Sequence, residues 1–190
     1  VMWAFEAGYR HIDTAKAYGN EKSVGRAIAD CGLPREAIFV TTKLWNQDMR
    51  DERQEEAFHA SRAALGLDYI DLYLIHWPVD GHIVSSWKVM EKLCNQGLIR
   101  SIGLSNFHQQ HYETLKAEAS ITPAVNQIEL HPLLTQDDLV AYFQARGIAI
   151  EGWSPLGQGK ILSLPLIKDL AAKYGKTAAQ IVIRWHLQKG

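Results

Sequence analysis

Gly8-Tyr9-Arg10-His11-Ile12-Asp13-Thr14-Ala15-Lys16-Ala17-Tyr18-Gly19-Asn20-Glu21 reads as a short apolar strand that delivers an acid at its exit and a tyrosine in the loop beyond. Two later segments repeat the arrangement. Ala37-Ile38-Phe39-Val40-Thr41-Thr42 ends on Lys43, and Tyr69-Ile70-Asp71-Leu72-Tyr73-Leu74-Ile75 ends on His76. Three successive strands thus place Asp13, Lys43 and His76 at the same end, with Tyr18 beside them. A reactive residue at the C-terminal end of a barrel strand reads as catalytic.

Outward from these segments, strands and helices alternate. The pattern predicts helix at 1–7, strand 9–13, helix 20–30, strand 37–42, helix 52–65, strand 69–75 and helix 83–96. Strand 99–104, helix 108–118, strand 124–128, helix 135–146, strand 148–153 and helices 164–174 and 177–189 follow. The strands are near-continuous apolar runs such as Tyr73-Leu74-Ile75 and Ile148-Ala149-Ile150, as parallel strands covered on both faces require. Gly32-Leu33-Pro34, Gly97 and Gly147 fall where helices should end. Strict alternation argues for an α/β fold with right-handed crossovers. An open doubly wound sheet shares that pattern, but no G-x-G-x-x-G follows a strand, and reactive residues on three consecutive strands favour the (β/α)8 TIM barrel.

At 190 residues the chain is expected to form a single domain with a sizeable core. A complete eightfold barrel takes about 250 residues, and only six strands are read here. The chain opens inside a helix without a start methionine and stops just after one. We therefore expect residues 1–190 to be the central portion of one barrel domain, an incomplete chain lacking the first and last strands. A net charge of −1 points to neither nucleic acid nor an anionic membrane. No apolar run approaches the ~20 residues of a membrane span. The two cysteines, Cys31 and Cys94, both fall near predicted helix ends, which suggests a reducing compartment rather than a disulfide framework. The expectation is a cytoplasmic monomer acting on a small molecule.

The chemistry follows from the residue types. An unperturbed tyrosine, with a pKa near ~10, is a poor proton donor at neutral pH. A cation beside it favours phenolate, and Lys43 can supply that cation. A buried lysine tends to lose its proton unless a carboxylate pairs with it, and Asp13 is the candidate. His76 can hydrogen-bond a substrate oxygen or share a proton with Tyr18. Such a set suits a general acid that protonates a carbonyl oxygen. It offers no nucleophile for acyl transfer and no electron source, so a reduction would need a hydride cofactor.

At this point the chain resembles the aldo-keto reductase family. Gly8-Tyr9-Arg10-His11-Ile12-Asp13-Thr14-Ala15, followed by Tyr18, Glu21 and Gly25, is similar to its first signature. Leu72-Tyr73-Leu74-Ile75-His76-Trp77-Pro78 is similar to its second, and Gly97-Leu98-Ile99-Arg100-Ser101-Ile102-Gly103-Leu104-Ser105-Asn106-Phe107 to its third. Thr42-Lys43-Leu44-Trp45, Asn126-Gln127-Ile128-Glu129-Leu130-His131-Pro132 and Trp153-Ser154-Pro155-Leu156-Gly157 match as well. The likeness runs through essentially the whole chain.

The resemblance implies a barrel that reduces aldehydes and ketones with NADPH. Asp13, Tyr18, Lys43 and His76 would be its catalytic tetrad. Ser105, Asn106 and Gln127 would grip the nicotinamide carboxamide, which both donates and accepts, as Asn and Gln side chains can. Trp153 would stack on the nicotinamide ring, and Ser154 and Leu156 would meet the pyrophosphate through their backbone. Trp45 and Trp77 would wall the substrate pocket together with His76. No metal is implied. Lys16 departs from the pattern, since a small residue is common there, and it would alter the pocket rim. The segment that contacts the adenosine 2′-phosphate in the family would begin after Gly190, so NADPH preference comes from the resemblance alone.

The short loop after Pro78, and the runs Ile128-Glu129-Leu130-His131-Pro132-Leu133 and Gln180-Ile181-Val182-Ile183-Arg184-Trp185-His186-Leu187, are similar to bacterial 2,5-diketo-D-gluconate reductases and methylglyoxal reductases. They imply an open pocket for small polar carbonyls. The alternative function is a non-catalytic cofactor-binding barrel with a regulatory role, as in potassium-channel β-subunit relatives.

Other features have plainer readings. His108 and His111, spaced i, i+3, lack a third ligand and read as solvated helix surface. His131, before Pro132, reads as structural, and His11 as a satisfied interior histidine. Gly157-Gln158-Gly159-Lys160 fails the G-x-x-x-x-G-K-[ST] phosphate-loop spacing, because Ser154 stands where the first glycine belongs.

Overall fold

A computed structural model describes residues 1–190 as two compact units, Val1–Ala124 and Val125–Gly190. In the first unit, α1 (Met2–Glu6) leads into β1 (His11–Asp13), and α2 (Glu21–Asp30) into β2 (Phe39–Leu44). There follow α3 (Asn46–Arg50), α4 (Gln54–Leu65), β3 (Ile70–Ile75), α5 (Ile83–Asn95), β4 (Ile99–Ser105) and α6 (Gln109–Lys116). The four strands pair in sequence order and all in parallel. Every residue of β3 is buried, as the unbroken apolar run requires of a strand covered on both faces.

Register sets which side chains meet. Asp13 is opposite Thr41, Thr41 opposite Leu72, and Lys43 opposite Leu74. Because side chains alternate along a strand, Asp13, Thr41, Lys43, Leu72 and Leu74 share one face. Val40, Thr42, Tyr73 and Ile75 take the other, where Phe58 of α4 packs edge-to-face on Tyr73 at 5.3 Å. Trp87 of α5, wholly enclosed, satisfies its indole N–H on the carbonyl of Ile121 at 3.2 Å. Helix α2 lies so close to α4 that a Cβ on Gly25 would stand 2.4 Å from the Leu65 carbonyl oxygen.

The second unit comprises β5 (Val125–Glu129), α7 (Asp137–Gln144), β6 (Ala149–Trp153), α8 (Pro165–Tyr174) and α9 (Ala178–Lys189). Strands β5 and β6 are parallel, with Gln127 opposite Glu151 and Glu129 opposite Trp153. Ile161, Ile167 and Val182 form its core, and Leu156, Leu162, Leu164 and Ile181 pack on them. Thr177 and Gln180 close a capping box at the start of α9, which satisfies two of the backbone donors a helix start leaves free.

Every predicted strand and helix is present, with ends shifted by a few residues. Gly97 and Gly147 take the left-handed backbone that ends α5 and α7. Four short elements were not predicted. Lys16–Tyr18 and Arg35–Ala37 are single 3₁₀ turns, Asn46–Arg50 is a helix of one turn, and Gly157–Ser163 coils as kinked 3₁₀. Each is too short to show periodicity. His11 is exposed rather than interior, because β1 pairs on one side only within its unit; its Nε2 nonetheless meets Thr41 Oγ1 at 2.8 Å. No helix is long and apolar enough to cross a membrane.

Candidate active site

Lys43 is the centre of the polar group at the C-terminal end of β1–β3. It has no solvent exposure, and an ammonium so enclosed needs counter-charge and acceptors. Asp13, at the end of β1, gives it an ion pair, the Thr14 carbonyl accepts from its Nζ at 3.0 Å, and Tyr18 Oη lies 3.4 Å away. Tyr18 itself is 52% exposed. The pair thus presents a hydroxyl to the outside with a buried cation behind it.

His76 follows β3 directly and is buried. Its ring stands edge-on to Tyr18 at 5.8 Å and to Trp45 at 5.3 Å between centroids. Burial lowers its pKa to about 4, the Lys43 charge adding to the shift and Asp13 opposing it. The imidazole is therefore neutral at physiological pH and carries one N–H. Its Nδ1 is enclosed with no hydrogen-bond partner. Trp77, 42% exposed, and Trp45, half-buried, border this histidine rather than filling the core.

Ser105 ends β4 in a buried position, and Asn106 follows with left-handed backbone, φ 63°, a conformation that asparagine tolerates better than most residues. The Asn106 side-chain nitrogen donates to the His76 carbonyl at 3.0 Å and to Ser105 Oγ at 3.1 Å.

In the second unit, Gln127 is buried on β5, and its Nε2 donates to Glu151 on β6 at 2.7 Å. Trp153 ends β6, and Ser154 follows with φ 49°. What holds this turn was not legible in the chain. His186 of α9 lies against Gly152, where a Cβ would stand 3.1 Å from the ring, and its Nε2 meets the Pro155 carbonyl at 3.2 Å. Leu156, half-buried, packs its side chain against the core of this unit. The Gly157 and Gly159 amides bond to Ser154 and Leu156 carbonyls at 2.8 and 2.9 Å, so these two donors are used inside the turn.

Ser105 and Asn106 in the first unit offer a hydroxyl and an amide, and in the second Gln127 offers an amide and Trp153 an indole, all residue types that suit a nicotinamide. Of the remaining histidines, His111 Nδ1 accepts from the His108 backbone N–H at 3.1 Å, which caps α6, and His131 contacts Glu129 at 3.4 Å. No group of three or more His, Cys, Asp or Glu side chains is arranged to hold a metal ion.

Parallel β/α units with this set at the strand ends define an enzyme of the barrel class. The Aldo/keto reductase family model matches residues 1–190. Methylglyoxal reductase DkgA of Escherichia coli K12 is 52% identical over 194 residues, covering all of this chain and 70% of that protein. The crystal structure of an aldo/keto reductase from Brucella melitensis superposes with a TM-score of 0.95 at 49% identity, covering 100% of this chain and 72% of that one. A Bombyx mori aldo-keto reductase in complex with NADP superposes at 0.92 with 40% identity, covering 100% and 69%. The chain belongs to the aldo/keto reductase family and has its α/β barrel fold. It is an oxidoreductase.

Proposed function

We propose that this protein reduces small polar aldehydes and ketones to alcohols with NADPH, protonating the carbonyl oxygen from Tyr18. The observation that carries the reading is Lys43: a fully enclosed cation, paired with Asp13 and 3.4 Å from the Tyr18 hydroxyl. When bound, the reduced nicotinamide supplies the hydride. Ser105, Asn106 and Gln127 would hold its carboxamide, Trp153 would stack on its ring, and the backbone of Ser154 and Leu156 would meet the pyrophosphate. Tyr18 would give its proton to the carbonyl oxygen, with Lys43 beside it to stabilise the phenolate left behind, and Asp13 pairs with Lys43. His76, neutral, would hydrogen-bond the same oxygen and align the carbonyl between Trp45 and Trp77. The NADP complex of the Bombyx mori relative supports the cofactor, and the relative named methylglyoxal reductase supports a small dicarbonyl substrate; 2,5-diketo-D-gluconate is the second candidate.

The test is steady-state NADPH oxidation by the full-length protein with methylglyoxal, 2,5-diketo-D-gluconate and simple aldehydes. We expect saturable turnover and a strong preference over NADH. Tight NADPH binding without turnover of any carbonyl would favour a regulatory barrel instead. A Trp153→Ala variant should bind NADPH more weakly and lose most of the cofactor's quenching of protein fluorescence; unchanged affinity would return Trp153 to packing alone.

A further inference from the structure

The turn that carries Tyr18 has little internal support. It is one 3₁₀ turn, Lys16–Tyr18, with no side-chain cap at its start. Thr14 Oγ1 donates to Asn20 Oδ1 at 2.6 Å and closes its base. Lys43 reaches the Thr14 carbonyl and the Tyr18 hydroxyl from below. A further contact comes from outside the catalytic group. Lys16 Nζ donates to both carboxylate oxygens of Asp48, each at 2.7 Å.

Asp48 belongs to α3, the short helix that begins directly after Trp45. Its amide donates to the Trp45 carbonyl at 3.1 Å, and its own carbonyl accepts from Arg53 at 2.9 Å. Its side chain is only 8% exposed, whereas that of Lys16 is 36% exposed. The carboxylate is therefore held within the fold, and a long cation crosses to it from the more exposed turn. Most exposed lysine pairs contribute little to stability, because two flexible chains must be held in one geometry. Here the carboxylate is already held, so the bridge chiefly restrains the turn that carries Lys16.

We propose that Lys16 is a positioning residue: seated on Asp48, it straps the Tyr18 turn to α3 and fixes the Tyr18 hydroxyl over Lys43 and His76. The proposal rests on Tyr18 being the proton donor. It also predicts that Lys16 does not recruit an anionic substrate, since both Asp48 oxygens already take its protons.

Misplacing a reacting group by a fraction of an ångström to an ångström costs rate rather than affinity. Lys16→Met should lower kcat about tenfold or more, while the KM for NADPH stays within about twofold of wild type. Lys16→Arg should retain most of the rate. Lys16→Met alone leaves Asp48 buried without its cation, so a lower melting temperature is expected as well. The double variant Lys16→Met with Asp48→Asn removes that charge; it should recover the melting temperature but not kcat. The decisive measurement is Lys16→Met in a Tyr18→Phe background, where no further loss is expected because there is no proton donor left to position.

A Lys16→Met kcat near wild type overturns the proposal. So does an equal fractional loss in the Tyr18→Phe background, or kcat that returns with the melting temperature in the double variant. A KM increase confined to carboxylate-bearing carbonyls, with methylglyoxal unaffected, would make Lys16 a substrate ligand and also overturn it. The proton-donor reading is judged separately by Tyr18→Phe alone. If that variant turns over at the wild-type rate, the reading and the strap fall together; if it is impaired and Lys16→Met is not, only the strap falls.

Discussion

The two ends of the β1–β4 sheet use charge in opposite ways. At the end where the strands begin, Asp71 is buried and accepts from Arg35 at 2.6 Å, from Arg100 at 3.3 Å and from the Val40 amide at 3.0 Å. The two guanidinium groups lie over the Tyr69 ring, 4.1 and 4.0 Å from its centroid. Two guanidinium groups share one carboxylate there, and Arg35 also donates to the Ile38 and Tyr69 carbonyls at 2.6 and 3.0 Å, so the network closes largely on the fold itself. At the end where the strands finish, Lys43 is equally buried, but its partners Asp13 and Tyr18 open outward and His76 keeps an enclosed Nδ1 without a partner. A charge network that closes on the fold holds it together; one whose members open outward, kept in place by that fold, is available for chemistry.

The comparison can be broken by substitution at either end. Asp71→Ala should have the largest effect on stability, about 3–5 kcal/mol, because it leaves two guanidinium groups without their counter-charge and the Val40 amide without its acceptor. Urea denaturation measures it, and the folded fraction should keep its kcat. A loss below about 1 kcal/mol would show that Asp71 acts as an ordinary surface ion pair. Tyr18→Phe should do the reverse, cutting kcat by ~10² or more, equivalent to about 2.7 kcal/mol in the barrier, with an unchanged melting temperature because the ring is half exposed. A melting shift of many degrees in this variant would blur the division between the two ends.

Between the ends, Gly25→Ala forces α2 away from the Leu65 carbonyl and should cost about 1–3 kcal/mol of stability, read in the same denaturation series. Since α2 follows the Tyr18 turn, a disproportionate fall in kcat would show that the active end depends on this helix contact.

The last effect is absent at neutral pH and grows on acidification. The folded pKa of His76 is about 4, below its ordinary 6.5, so between these values the unfolded chain binds a proton that the folded one refuses. Stability should be full above about pH 6.5 and fall as the pH drops toward 4. Glu91 acts in the same direction. Burial pushes its carboxyl up, but the Ile121 and Ser120 amides and Lys88 together outweigh burial and hold it low. In His76→Asn the loss between pH 6.5 and 4 should be smaller than in wild type; parallel curves would mean that His76 does not titrate this way.

Much of the fold was legible in the chain. The alternation of apolar runs with amphipathic segments fixed the strands and helices locally, and glycines such as Gly97 and Gly147 marked helix ends because few other residues take the required backbone. The residues at the strand exits were legible too: Asp13, Lys43 and His76 each terminate an apolar run, so their common end follows from parallel strand direction. The short elements were not, because one turn of Asn46–Arg50 or Lys16–Tyr18 has no period to detect.

What the sequence determined by itself was therefore the order of elements, their direction and the residues placed at the strand ends, all consequences of local backbone preference and apolar spacing. The Asp13–Lys43 pair was expected from the strand ends, but the tertiary structure alone decided the other pairings between distant charged side chains. Arg35, Tyr69, Asp71 and Arg100 read singly as ordinary surface and strand residues, and Lys16 as an unusual rim residue with no partner named. Only packing brings Lys16 onto Asp48, 32 positions away, and Gln127 onto Glu151 across a strand pair. It also buries His76 deeply enough to keep it neutral. Burial and side-chain proximity depend on how strands register and helices dock, and the strength of a charge interaction depends on both; neither quantity is carried by the local sequence.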